Sequence, residues 1–291
     1  METALSLARF LHYSAAIQLF GTAVFETWIA AKPLSDSLLS TSRRIARFNA
    51  WLLLVSAVAW LGLAAGTMGD GWADTLNLEV IQLVLSSTSF GHAWIVNLLL
   101  AALAVGIAHG LGPRRGGALA VCATLKLAAL AFVGHAMTLS GMLGLLSQAS
   151  QVVHLLSSGF WFGSLLSVVL LLRRIGEAHQ TEHADLALRR FSGLGHGAVA
   201  LALASGIANS WFVLHHVPLS PGSSYQLLLA LKVALVGSMC LIAIVNRYVF
   251  MPRIPKGPEG IKQLRDGTVA ELVIGTVVIA LVSVLGILPP D

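Results

Sequence analysis

Long apolar runs alternate with short polar connections along nearly the whole chain. The clearest run, residues 194–214, carries no formal charge, and a run of about 20 such residues spans a bilayer core as an α-helix. The pattern therefore predicts an all-α fold, a polytopic membrane helix bundle forming one domain over residues 1–291. Hydropathy windows of about 19 residues give eight spans, at approximately 6–31, 48–67, 92–111, 117–137, 150–172, 192–213, 225–249 and 268–288.

The piece between the second and third spans, residues 72–90, has a weaker apolar pattern. It contains Asp74, Glu79 and Gln82. We expect it to form an amphipathic or interfacial helix outside the bilayer core.

Composition agrees with a membrane protein and excludes some other classes. Hydrophobic residues make up 56% of the chain and charged residues only 11%, where a soluble domain has about 25% charged residues. The net charge is +5, but no Lys/Arg patch with interleaved aromatic residues points to nucleic acid. The two cysteines, Cys122 and Cys240, fall inside predicted helices without a Cys-x-x-Cys motif, which argues against a disulfide framework or a zinc knuckle.

The connections carry basic residues in an alternating fashion, which predicts the orientation. Positively charged connections stay in the cytoplasm, so both termini are expected outside. The connections 68–91, 138–149 and 214–224 contain no Lys or Arg. Fifteen of the 18 basic residues lie in the other four connections, at 32–47, 112–116, 173–191 and 247–267.

With this orientation, six of the ten histidines gather at the outer face, at positions 12, 92, 135, 154, 215 and 216. Ionisable groups within spans are costly and usually face the bundle interior. His135 is followed by Met137 and Met142, and His154 shares a helix face with Trp161, seven residues further on.

Imidazole and thioether groups together suit copper, especially Cu(I). The sequence therefore offers His12, His135, His154, Met137 and Met142 as candidate copper ligands. Interfacial histidines bonded to neighbouring groups remain the alternative for each single position. Histidines on facing helices also fit haem b ligation, so His12, His135 and His154 are the candidate haem ligands. No span holds two suitably spaced histidines, so one haem at most is expected.

A few other polar residues lie within the spans. Lys126 is near the middle of the fourth span and needs an acceptor. Glu26 and Glu271 are the acidic candidates, and we favour Glu26, which is on the same span as His12. Lys232 lies in the outer half of the seventh span, where its side chain can also extend toward the interface. Asn209 is expected to pair helices.

These residues fall in short stretches that resemble the copper resistance protein D (CopD) family of bacterial inner-membrane proteins. The first stretch is Arg9-Phe-Leu-His12-Tyr-Ser-Ala-Ala, followed by Gly21. The central pair is Gly134-His135-Ala136 and His154-Leu-Leu-x4-Trp161-x-Gly163. The C-terminal stretches are Arg190-Phe191-Ser192, Ser205-Gly206-x2-Asn209, Tyr225-x6-Lys232 and Asn246-Arg247. Together, in this order, they cover most of the chain.

The resemblance implies a function in copper handling at the inner membrane. Family members are thought to move copper inward, often beside a periplasmic carrier of the CopC type. By position, the resemblance makes His12, His135 and His154 the best metal-site candidates. The chain lacks the nucleotide and phosphorylation motifs of copper-pumping ATPases, so we expect a transporter that is not an enzyme, with Glu26 on the inward route.

Overall fold

A computed structural model describes residues 1–30, 32–110, 112, 115–133, 141–175, 181–214, 217–218, 220 and 222–289, without the side chains of 32–39, 181–182 and 256. Every regular element in these ranges is helical, which confirms the all-α fold class. The α-helices are α1 Glu2–Val24, α2 Lys32–Met68, α3 Leu78–Ser87, α4 Ser89–His109, α5 Arg115–Ala129, α6 Gly141–Leu172, α7 Thr181–Leu214, α8 Ser224–Val245 and α9 Pro258–Leu285.

Shorter helical turns extend several of these helices. A π-helical turn, Phe25–Ile29, follows α1, and a second one, Asn246–Phe250, follows α8. The remaining turns are 3₁₀ helices at Gly71–Leu76, Leu130–Phe132 and Met251–Lys256.

Seven helices in the described ranges are long and apolar enough to cross a membrane, namely α2 and α4 to α9. This confirms a multi-pass membrane bundle. The remaining predicted span, which is the first along the chain, corresponds to α1. This helix has 23 residues, about 35 Å of helix, but does not reach the mean hydropathy of the other seven. It contacts α2, α5, α6 and α9, so its side chains meet protein on most sides and need less apolar surface toward lipid.

Several helices are longer than the predicted spans, and this corrects the loop boundaries. The predicted connections 32–47 and 173–191 are largely helical, because α2 begins at Lys32 and α7 at Thr181. The same is true of 138–149, where α6 begins at Gly141. Hydropathy windows find only the apolar part of a helix, whereas a helix can continue beyond the bilayer as long as its residues favour helix.

The segment 72–90 forms a short 3₁₀ helix and then α3, in agreement with the predicted helix. Asn77 caps α3 by accepting a hydrogen bond from the Glu79 backbone N–H. Hydrogen bonds from the Asp70 backbone N–H, at 2.6 Å, and from the Asn77 side chain lower the pKa of Asp74.

A close crossing of α1 and α6 joins the two halves of the chain. A Cβ atom on Gly21 would collide with the backbone of Gly163, and one on Gly163 would collide with the Ile17 carbonyl. Gln18 Nε2 donates to the Gly163 carbonyl at 3.0 Å, and Ser164 Oγ donates to the Gly21 carbonyl at 3.3 Å. Small residues of this kind let membrane helices approach closely.

Basic side chains gather at one end of the bundle. Arg47 and Arg115 each donate from Nε to the Ala108 carbonyl, at 3.3 Å, where the negative end of the α4 dipole favours a cation. Arg43 and Arg115 also act electrostatically on the Glu26 carboxyl, in the π-helical turn after α1. This clustering is what the predicted cytoplasmic face requires; the orientation itself and the single domain over residues 1–291 stay predictions.

Candidate functional sites

The first polar site lies in the N-terminal half and consists of His12, Ser56, Asn97 and Lys126, called here the His12 cluster. Lys126 Nζ lies 2.6 Å from Asn97 Oδ1 and 2.9 Å from His12 Nε2. His12 Nδ1 lies 3.0 Å from Ser56 Oγ. His12 and Asn97 are 0% exposed and Lys126 is 1% exposed. Helices α1, α2, α4 and α5 thus each place one polar side chain in a dry interior.

The hydrogen-bond pattern assigns the protons in this cluster. A lysine ammonium can only donate, so His12 Nε2 accepts from Lys126 and His12 Nδ1 carries the ring proton. Nδ1 then donates to Ser56 Oγ, which in turn donates to the Leu53 carbonyl at 3.1 Å. The lone pair that a metal would need on His12 is therefore already in use.

Two tryptophans enclose the His12 cluster. The Trp60 and Trp94 ring centroids lie 5.6 and 5.4 Å from that of His12. Lys126 Nζ lies 6.0 Å from the Trp94 ring centroid, a cation–π distance. The ammonium is thus stabilised by an amide oxygen, an imidazole and an aromatic face.

Lys126 turns inward as predicted, but the predicted partnership with Glu26 is wrong. Glu26 lies 14 residues beyond His12, about 21 Å along a helix, which is out of reach of a lysine side chain bound at His12. The Glu26 carboxyl instead meets Ser42 and feels Arg43 and Arg115. The sequence estimate failed because it considered only acidic partners, although an amide and a neutral imidazole also accept.

The second site surrounds His154 in the C-terminal half. His154 Nδ1 lies 3.0 Å from the Ala202 carbonyl and 3.2 Å from Ser205 Oγ. A carbonyl can only accept, so Nδ1 carries the proton and Nε2 keeps its lone pair. Among the residues that the structure describes, Nε2 has no hydrogen-bond partner, and His154 lines a cavity.

This cavity, of about 300 Å³, lies between α1, the C-terminal end of α5 and helices α6 to α9. Asn209 Nδ2 donates to Gln151 Oε1 at 2.7 Å on its wall. Trp161 also lines it, and its Nε1 donates outward to Glu271 Oε2 at 3.2 Å. The polar side chains that line the cavity are Arg9, Tyr13, Ser147, Gln151, His154, Ser158, Asn209, Ser210, Tyr225 and Lys232.

The remaining predicted ligands lie apart or cannot be placed. Met142 is 71% exposed at the start of α6, 12 residues before His154 and therefore about 18 Å away along the helix. One ion cannot bind both residues, since metal–ligand bonds are only about 2 Å long. His135 and Met137 lie outside the described residues, so the convergence of the three histidines stays a prediction. Within the described residues, no three His, Cys, Asp or Glu side chains form a metal-binding group.

Sequence reasoning missed Asn97, Ser56 and Arg9. A single amide in the middle of the apolar run of α4 was a usable indication for Asn97. Arg9 could also have been found, because it is a charged residue within the predicted span 6–31. No comparable indication existed for Ser56, since serines are common in these spans.

Comparisons with known proteins give a consistent result. A family model described as "Copper resistance protein D-like, N-terminal domain" matches residues 1–145, and one described as "Copper resistance protein D" matches residues 185–285. His154 lies between the two matched ranges. No solved structure matches the chain.

Three relatives are similar over most of this chain. Inner membrane protein YebZ of Escherichia coli (strain K12) is 33% identical over 283 residues, 97% of either chain. Copper resistance protein D of Pseudomonas syringae pv. tomato is 29% identical, covering 100% of this chain and 98% of its own. Copper transport protein CutJ of Bacillus subtilis (strain 168) is 26% identical over 82% of this chain and 45% of its own.

Proposed function

Because the chain belongs to the copper resistance protein D family, we propose that it handles copper at the bacterial inner membrane and moves it from the periplasm to the cytoplasm. Support comes from the multi-pass bundle and from two relatives whose names refer to copper resistance and copper transport. In this proposal both termini face the periplasm, and the arginine-rich end of the bundle faces the cytoplasm. A periplasmic carrier of the CopC type would deliver the metal.

The observation that carries this proposal is the free Nε2 lone pair of His154 at the cavity wall. A neutral imidazole with its other nitrogen fixed by a carbonyl is the usual form of a metal-bound histidine. Met142, exposed at the start of α6, would be an earlier contact that suits Cu(I), with His135 and Met137 in the same outer region. His12 would enter the ligand set only if Lys126 moved away from its Nε2.

The inward route in this proposal leaves the cavity beside Trp161. The Glu271 carboxyl lies directly behind this ring, accepting from Trp161 Nε1 and from Asn246 Nδ2 at 2.7 Å. Glu26 lies farther along the bundle, among arginines that would oppose a copper ion. Glu271 is therefore the better inner contact than the originally expected Glu26.

The test compares His154→Ala with a control variant, His196→Ala. His196 is an exposed histidine on α7 that is hydrogen-bonded to Tyr248. We expect His154→Ala to lower copper accumulation in cells that express the protein, and to lower Cu(I) bound by the purified protein by about one equivalent. The control should behave like wild type. Unchanged copper binding in His154→Ala would remove His154 from the site, and lower copper in wild-type cells than in vector cells would reverse the direction.

Haem b binding is the second candidate, and the same cavity favours it. His154 would be the residue that holds the haem iron, through Nε2, and a bound haem would supply one-electron redox chemistry. Among the described side chains, His12 has both ring nitrogens engaged and does not supply a second ligand. The absorption spectrum of the purified protein separates the two candidates, because only haem gives a Soret band.

A further inference from the structure

The cavity beside His154 is basic as well as apolar. Arg9 and Lys232 both line it, and no described acidic side chain does. The Glu271 carboxyl, which is bonded to the cavity residue Trp161, has both oxygens accepting hydrogen bonds and does not line the cavity. Two positive charges therefore face one space within a membrane bundle without a described counter-charge.

Arg9 is held in place but not neutralised. It is only 9% exposed, and its guanidinium carbon lies 4.8 Å from the Trp60 ring centroid and 5.6 Å from that of Tyr13. Its NH2 group donates to Tyr13 Oη at 3.3 Å. Its Nε is buried and has no partner in the described structure. Aromatic faces and one phenol fix the orientation of the guanidinium, and its NH1 group makes no hydrogen bond with the described residues.

Lys232 makes no ion pair or hydrogen bond with the residues described. It lies close enough to His154 to act on the imidazole electrostatically. An unpaired lysine charge within a membrane span is costly, so such residues usually have a partner. Lys126 shows how this chain stabilises such a charge with its own acceptors, and Lys232 lacks them.

Apolar side chains form the rest of the cavity wall, among them Leu127, Leu130, Phe162, Val278 and Val282. Tyr225 adds a buried side chain to the cavity wall, and its hydroxyl makes no hydrogen bond with the described residues. A volume of about 300 Å³ lies at the lower end of the range for small-molecule sites, about 300–1,000 Å³.

We propose that this cavity binds an anionic amphiphile, a molecule with an apolar body and one or two carboxylate or phosphate groups, which Arg9 and Lys232 hold. Charge-assisted hydrogen bonds of this kind are the stronger class of polar contact. The inference does not rest on copper transport. A bound anion would nevertheless affect copper transport, because it would cancel the positive charge that otherwise opposes a copper ion at His154.

The test measures direct binding to the delipidated full-length protein in dodecyl maltoside. Two probes are titrated: cis-parinaric acid, a fluorescent fatty acid, and hemin, a tetrapyrrole dicarboxylate. We expect saturable binding of at least one probe by wild type. Lys232→Met should weaken that binding by about tenfold or more, Lys232→Arg should retain it, and Lys262→Met, an exposed lysine at the start of α9, should leave it unchanged.

A cationic amphiphile of similar size, dodecyltrimethylammonium, provides the matched probe control and should not compete. The variant His154→Ala distinguishes a tetrapyrrole from a lipid acid as the natural ligand. If the ligand is a tetrapyrrole, this variant should abolish the Soret shift of hemin. If it is a lipid acid, the variant should still bind parinarate. The proposal is overturned if neither probe saturates, if Lys232→Met binds like wild type, or if the cationic amphiphile competes equally. Copper accumulation is measured separately, so the copper-transport proposal and the amphiphile proposal can each be refuted without the other.

Discussion

The two described candidate histidines of this bundle have opposite surroundings. His12 is fully buried and both its nitrogens are engaged, by Ser56 and Lys126. His154 has one nitrogen fixed by α7, and the other has no partner among the described residues and faces a cavity. Each histidine has a lysine nearby, but Lys126 has two acceptors, whereas Lys232 has none in the described structure.

This difference shows that the packing around a histidine decides which of its ring nitrogens remains available to a ligand. In the His12 cluster, each of the four polar side chains has a partner within the cluster or on the backbone, so the cluster stabilises the packing of four helices. At His154, the described residues supply partners for Nδ1 only, and the ring lines a cavity that a ligand could occupy. Function is therefore expected at His154, and structural stability at His12.

The largest expected effect comes from breaking the frame that both sites share. A methyl group at Gly163 would collide with the Ile17 backbone carbonyl, and a side-chain rotation cannot relieve a clash with backbone. Gly163→Ala should therefore push α1 and α6 apart and remove most of the folded protein, measured as the monodisperse yield in detergent.

Its control is Gly237→Ala in α8, where a Cβ atom meets nothing within 4 Å. Alanine there should be neutral, or stabilising by about 0.5–1 kcal/mol, since glycine costs more entropy in a helix. If both variants fold equally well, the α1–α6 crossing does not hold the two sites together.

A smaller loss of stability is expected when lysine is replaced by methionine at Lys126, and none at Lys232. Lys126→Met removes the donor for Asn97 Oδ1 and His12 Nε2, and each buried group left without a partner costs about 1–3 kcal/mol. The melting temperature in detergent should fall clearly. Lys232→Met removes an uncompensated charge and should leave the ligand-free protein as stable as wild type, or more stable.

The double variant Lys126→Met with His12→Leu sharpens this result. Removing both partners of a buried contact is milder than removing one, so the double variant should recover part of the lost stability. A double variant that is as unstable as the sum of the single ones would mean that Lys126 and His12 do not interact.

The helices and the all-α membrane class could be predicted from the sequence, because apolar runs of membrane length have few alternative structures. It was also sufficient to predict that Lys126 turns inward, since a central charge cannot face lipid. It could not identify Asn97 as the partner, because that depends on the packing of α4 against α5. Nor could it separate His12 from His154, whose difference arises from helices far away in sequence.

The smallest effect tests the two sites through a matched pair of amides. Asn97→Leu removes the acceptor 2.6 Å from Lys126 Nζ, a hydrogen bond to a charged group, which is worth about 1.5–3 kcal/mol. Asn209→Leu removes a donor to Gln151 at the wall of the cavity, where other groups or water can replace it, so about 1 kcal/mol or less is expected. The melting temperature should therefore fall more for Asn97→Leu than for Asn209→Leu. Equal losses would mean that the cavity is as closed as the His12 cluster, and the contrast between the two sites would no longer explain where a ligand binds.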